Sequence, residues 1–259
     1  MSPAVYLFTL WVKFSSMSSV LGLLFLAIGV PIILSSVAVD GKTADLLVNL
    51  VNGPTLAMAI SYTFMQDNIA NTRQMNDGEY LSLLFARPLT RSQYIVSKWL
   101  AGSTGVFIIM MLNILTFNTA QTLQGRNTVV DLNFWSMSDL ILNALSYSAL
   151  MVVIRSFPMR LGIAVFIILV YASLIGPALS FSMSSYEGAI PAVYMIFQAL
   201  VFISNFLHHF VFPGIDLFEV LNTTRFSVLP LVTYVSNILM YLLLGTVLLS
   251  RREFSYGEE

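Results

Sequence analysis

The sequence contains no cysteine, which excludes disulfides, thiolate nucleophiles and thiolate metal sites together and leaves no mark of redox compartment. Charge is almost as scarce. Asp, Glu, Lys and Arg make up 10% of the 259 residues, against about 25% in a soluble globular domain, and the mean hydropathy is +0.82. Twelve basic residues are offset by 13 acidic ones, so no positive field exists to hold a polyphosphate backbone, and a nucleic-acid partner is excluded. The two histidines, His208 and His209, are adjacent. Neighbours on a helix point about 100° apart, so they cannot ligate one metal or haem iron from a single face, and they read as polar residues at a membrane boundary. The long apolar runs lack ionisable residues, which argues against a proton- or sodium-driven carrier. No Gly-x-Ser-x-Gly elbow and no His-Glu-x-x-His motif occurs. The nearest approach to a P-loop, Ser36 to Thr43, ends in Gly41-Lys42-Thr43 but has Ser36 where the first glycine belongs.

What the chain has in abundance is apolar length. A transmembrane helix needs about 20 mostly apolar residues. Charge-free runs of that kind extend from Phe14 to Val39, Leu46 to Gln66, Trp99 to Gly125 and, shorter, Leu140 to Ile154; two more follow Arg160 as far as Tyr186 and span Phe226 to Ser250. The expected fold is an all-α polytopic membrane protein, a single transmembrane domain over 1–259 with six transmembrane helices. Residues 1–15, with Tyr6, Phe8, Trp11, Lys13 and Phe14, read as an interfacial helix, because amphipathic aromatics prefer that depth. They lack the basic n-region and small-residue cleavage site of a removable signal peptide.

The distribution of Lys and Arg sets the orientation. Six spans with both termini inside place Lys13, Arg73, Arg87, Arg91, Lys98, Arg155, Arg160, Arg251 and Arg252 inside and Lys42, Arg126 and Arg225 outside, nine against three. Counting Gly188 to Ile215 as a seventh span lowers this to eight against four. That run contains Pro191, Pro213 and Gly214, so residues 184–225 are expected to form a re-entrant or surface-lying helical region on the outer side, before the last span.

Neutral polar residues within the spans admit two readings. Asn49, Asn52, Asn113, Asn118 and Asn237 could line a substrate pathway, or could hydrogen-bond one helix to another. Gly102, Gly105, Ala144 and Ser148 permit close helix approach, and Pro54 and Pro177 are expected to kink their spans.

One connection is long. Residues 67–98 carry four of the nine inside cations. Within them Tyr80, Leu83 and Leu84 fall at i, i+3 and i+4, one face of a short amphipathic helix. Pro88 ends that helix, and Thr90 is placed to cap a second one running through Tyr94 and Lys98 into the third span. Taken alone, this pattern also suits a helix resting on the anionic inner leaflet.

The run Asp77-Gly78-Glu79-Tyr80-Leu81-Ser82-Leu83-Leu84-Phe85-Ala86-Arg87-Pro88-Leu89-Thr90-Arg91-Ser92-Gln93-Tyr94-Ile95-Val96-Ser97-Lys98 resembles the cytoplasmic loop of type-2 ABC transporter permeases. An acidic residue opens a helix, a Leu-Leu pair and a small residue follow, then Pro-hydrophobic-Ser/Thr-Arg, an aromatic, and a Lys at the entrance to the third span. The resemblance extends to the six-span topology, but only this loop matches at the level of a motif. Asp77-Gly78 before the acidic start and the short, cation-poor N-terminal segment depart from the family pattern.

The resemblance implies a coupling helix that opens at Glu79 and seats Tyr80, Leu83 and Leu84 in a groove of a cytoplasmic ATPase. Arg87 and Arg91 would meet acidic residues there, with Pro88, Tyr94 and Lys98 completing the motif. It further implies a prokaryotic plasma (inner) membrane protein working with an ABC ATPase dimer, a second permease copy (itself or a similar chain), membrane lipid and, on the outer side, an accessory protein. ATP and magnesium would bind the ATPase, leaving this chain without cofactor, metal or catalytic residue. The low polarity of the spans points to an amphipathic or lipid-like exported substrate, or to transmission of force without cargo. From other classes, the alternatives are a non-transporting membrane scaffold that docks a soluble partner through 67–98, and an intramembrane enzyme.

Overall fold

Side-chain caps decide where the long helices begin. A computed structural model describes residues 3–15, 17–37, 54–65, 90–126, 132–157, 161–170 and 228–255, with isolated positions between 195 and 220. Among the described residues the structure is helical, with short connections and no strand. An N-terminal helix α1 (Pro3–Ser15) precedes the helix over the expected first span, called the first-span helix for its place in the sequence and built as α2 (Met17–Leu24), a π-helical turn (Phe25–Gly29) and α3 (Val30–Val37). After α4 (Pro54–Met65) come α5 (Arg91–Leu123) and α6 (Phe134–Ser156), then α7 (Leu161–Val170) and α8 (Leu229–Ser255).

Three of these, α5, α6 and α8 over Leu229–Ser250, are long and apolar enough to cross a membrane. At about 1.5 Å per residue the 33 residues of α5 extend roughly 50 Å, well beyond the roughly 30 Å hydrocarbon layer. The eight residues before Trp99, where the helix is polar, account for about 12 Å of that length.

Thr90 starts α5 through a reciprocal capping box. Its Oγ1 accepts from the Gln93 N–H and its own N–H donates to Gln93 Oε1, both at 3.3 Å. At the other end Gly125, at φ 73°, supplies the left-handed residue of a Schellman stop. The Gly125 N–H donates to the Thr122 carbonyl and the Arg126 N–H to the Gln121 carbonyl, each at 3.0 Å. The start of α6 lies earlier than the charge gap from Leu140 indicates. Asn133 Oδ1 accepts from the Ser136 N–H at 2.9 Å and Ser136 Oγ accepts from the Asn133 N–H at 3.0 Å, so the helix begins at Phe134. Pro54 is the first residue of α4, where a proline needs no donor; Pro177 lies outside the described residues.

The helices pack around α5 and α6, which contact each other and most of the remaining elements. Asn113 of α5 and Gln124 just past its end meet Leu26 and Ser35 in turn, so the first-span helix runs parallel to α5. Phe64 and Met65 of α4 face Gly105 and Gly102, an antiparallel pairing. Gly245 of α8 lies against Val152 and Ser156 of α6 and Ile95 of α5, and Tyr234 donates to the Leu142 carbonyl at 2.6 Å. Helices α6 and α8 therefore run alongside each other, opposite to α5. The first-span helix starts, and α8 finishes, at the Arg91 end of the bundle.

Gly102, Gly105, Ala144 and Ser148 all sit at buried helix contacts. Trp99 Nε1 donates to the Leu145 carbonyl at 2.8 Å, tying α5 to α6. Trp99→Phe keeps an aromatic ring and removes the donor. It should lower stability by about 1 kcal/mol, measured as a drop in Tm of the detergent-solubilised protein; an unchanged Tm would assign the contact no energetic weight.

Apolar side chains also cover the outside. Leu229, Val232, Leu239 and Leu243 form an exposed stripe along α8. Leu7, Phe8, Trp11 and Phe14 do the same on α1, whose opposite side buries Lys13 and links to α5 through the Tyr6 hydroxyl and Thr104 Oγ1, 3.0 Å apart. In water such faces would aggregate; against acyl chains they need no partner.

Candidate functional site

The candidate site is the Arg91 end of α5, the last part of the 67–98 connection. Capping at Thr90 turns the chain directly from the connection into the helix. On the first two turns Arg91 is half-buried, whereas Tyr94 and Lys98 are buried, 6% and 9% exposed. Lys98 is thus more enclosed than a cation at a water-facing entrance is expected to be. Its ammonium donates to the Tyr94 hydroxyl at 3.3 Å and lies 5.5 Å from the centre of that ring. One turn of helix separates the two residues, so a single rotamer pair satisfies both contacts.

A second cation sits at the same end. Arg155, in the last turn of α6, favours the negative pole of its helix. Its Nη1 donates to the Tyr62 hydroxyl at 3.4 Å, and the guanidinium carbon lies 5.3 Å from the centre of that ring. The Tyr62 ring stacks on Phe166 at 4.2 Å with 22° between planes. Arg155 therefore joins α6 to α4 and, through Tyr62, to α7. The sequence offered Arg155 only as an orientation signal; its aromatic partners are 93 residues away in sequence and one helix further on, so spacing carries no trace of the cluster. Close passage of α7 is permitted by Gly162, where a Cβ would lie 2.7 Å from the Ile154 carbonyl oxygen.

Of the residues expected to form a coupling loop, Arg91, Tyr94 and Lys98 lie on the first turns of α5. Asp77, Gly78, Glu79, Tyr80, Leu83, Leu84, Arg87 and Pro88 lie outside the described residues, as do Asn49, Asn52, His208, His209 and most of 184–225. Among the span asparagines, Asn113 is fully buried and bonds to the Leu26 carbonyl, while Asn118 and Asn237 are half-buried. Several hydroxyls on the helices turn back on their own backbone, whereas the buried Ser148 Oγ has no partner. Ser61, Ser103, Thr104, Thr116 and Thr246 each donate to the carbonyl four residues earlier, which hides their polarity from lipid. No group of His, Asp and Glu able to hold a metal occurs among the described residues.

The arrangement can transmit displacement. The base of α5 is clamped to α6 through Trp99 and α6 to α4 through Arg155, so a push on the connection between α4 and α5 reaches both sides of that pair. No protein-family model matches the chain, and a search of curated proteins finds no similar sequence.

Proposed function

We propose that this chain is the six-span permease subunit of a type-2 ABC transporter, in which residues 67–98 couple a separate cytoplasmic ATPase to the membrane helices. One observation carries the reading: the ordered run from Glu79 through Leu83-Leu84, Pro88, Arg91 and Tyr94 to Lys98. Support comes from the helix at its end, where the Thr90 cap turns the connection straight into the longest helix of the bundle. Further support comes from the helix directions, since the first span begins where α8 finishes, as an even number of crossings requires. On this reading both termini are cytoplasmic in a prokaryotic inner membrane, and two permease copies enclose the pathway. ATP-driven closure of the ATPase dimer draws the two loops together and tilts α4 and α5. The cargo is an amphipathic or lipid-like molecule, or the complex passes force to an outer partner.

The test is copurification in mild detergent of the tagged chain with its cytoplasmic partners, identified by mass spectrometry. A stoichiometric partner carrying Walker motifs, whose ATP hydrolysis rises on reconstitution with the chain, is the expected result. A partner without nucleotide-binding motifs would replace the permease reading with that of a docking scaffold.

A further inference from the structure

Two consecutive carbonyls of the first-span helix lose their α-helical donors. In an α-helix Leu26 is served by the N–H of residue 30 and Ala27 by that of residue 31. Here the Val30 N–H goes to the Phe25 carbonyl, closing the π turn Phe25–Gly29. Pro31 has no N–H to give. Helix α5 supplies one replacement, since Asn113 Nδ2 donates to the Leu26 carbonyl at 2.7 Å. The other end of the same amide is bare: Asn113 Oδ1 has no hydrogen-bond partner. Ala27 and Asn113 are both 0% exposed, and an acceptor left unpaired in an apolar interior is costly.

We propose that the seam between α5 and the first-span helix holds buried water, one molecule of which donates to both Asn113 Oδ1 and the Ala27 carbonyl. A water molecule has the two donors that these acceptors lack, and a polar site of this kind is where buried water is found. Two O–H···O bonds of about 2.8 Å bridge acceptors up to about 5.6 Å apart. The two acceptors flank one short bond, because Oδ1 shares its carbon with Nδ2 and Ala27 follows Leu26 in the chain. A second orphan lies on the same face of α5. At about 100° per residue, Phe117, Gln121 and Gln124 fall about 40°, 80° and 20° around the axis from Asn113. That face meets the first-span helix, as the contacts of Asn113 with Leu26 and of Gln124 with Ser35 require. Gln121 is 1% exposed and its Nε2 has no partner; being a donor, it needs a water that accepts. Ser35, also fully buried, and Arg126, which donates to the Ser35 carbonyl at 3.1 Å, continue the polar seam to the far end of α5. The inference rests on helix geometry alone and is independent of the permease reading.

Radiolytic hydroxyl-radical footprinting in isotopically labelled water, on the full-length chain in nanodiscs, is the test. Radicals made from a bound water oxidise the side chain beside it. Phe117 and Phe64 are both 0% exposed, but Phe117 lies between Asn113 and Gln121 on the seam, whereas Phe64 packs on Gly105 at the α4–α5 crossing. Phe117 should therefore take up labelled oxygen at least about tenfold faster than Phe64. Equally slow labelling of the two rings would overturn the proposal. Asn113→Leu combined with Gln121→Leu removes both amides and should bring Phe117 down to the rate of Phe64. Labelling of Phe117 that survives in that variant would mean solvent enters as the helices open, not that these amides hold water, and would also overturn it. The first comparison needs no substitution, so it decides even if the variant does not fold.

Discussion

The double substitution Leu84→Ala with Arg87→Glu is expected to abolish stimulation of the partner's ATP hydrolysis while leaving the chain inserted in the membrane. On the coupling reading Leu84 belongs to the apolar face seated in the ATPase groove, and truncating a buried leucine costs about 2–3 kcal/mol. Reversing the charge at Arg87 replaces attraction to an acidic rim with repulsion and adds about 2 kcal/mol. Together these weaken docking about a thousandfold, since each 1.4 kcal/mol is about tenfold. Neither residue belongs to the helices described above, so insertion and detergent stability should be unchanged. Steady-state ATPase assays of the reconstituted complex, with size-exclusion profiles as control, make the measurement; full stimulation in the double variant would remove the coupling assignment.

A second large effect is expected at Gly105. A Cβ there would clash with carbons along one edge of the Phe64 ring, while at Gly102 the clash would be with the terminal methyl of Met65 alone. Phe64 is fully buried and its ring must swing as a unit, whereas a methionine end adapts by rotating single bonds. Gly105→Ala should therefore cost about 2 kcal/mol, a fall in Tm of about 4–8 °C, and Gly102→Ala distinctly less. Phe64→Leu should recover most of the Gly105→Ala loss. The reverse ranking would mean that α4 and α5 do not approach each other as described. Because α4 leads into the 67–98 connection and α5 leaves it, the Gly105 variant should also reduce coupling in proportion to its loss of packing.

Local signals in the sequence foretold much of this architecture. Thr90, placed before an apolar run, reads as an N-cap, and α5 starts there, with Gln93 completing a capping box that the N-cap reading alone does not include. Gly102 and Gly105 mark a close crossing, and α4 makes it. Boundaries inferred from charge fared less well at α6, because a charge gap ignores Asn133 and Ser136, whose reciprocal bonds place the start at Phe134. The bond from Asn113 to the Leu26 carbonyl joins positions 87 residues apart. Periodicity cannot report such a pairing. The Arg155–Tyr62–Phe166 cluster was hidden for the same reason: each member is ordinary for its own helix, and only packing brings them together.

The most direct test of the central claim is a cross-link from the coupling face itself. In the cysteine-free background, Leu84→Cys bearing a short photoactivatable cross-linker should be captured, in native membranes, by a cytoplasmic protein whose peptides include Walker motifs, and addition of ATP should change the yield. Attachment only to lipid, or to a protein without a nucleotide-binding site, would contradict the claim that residues 67–98 couple this chain to an ATPase.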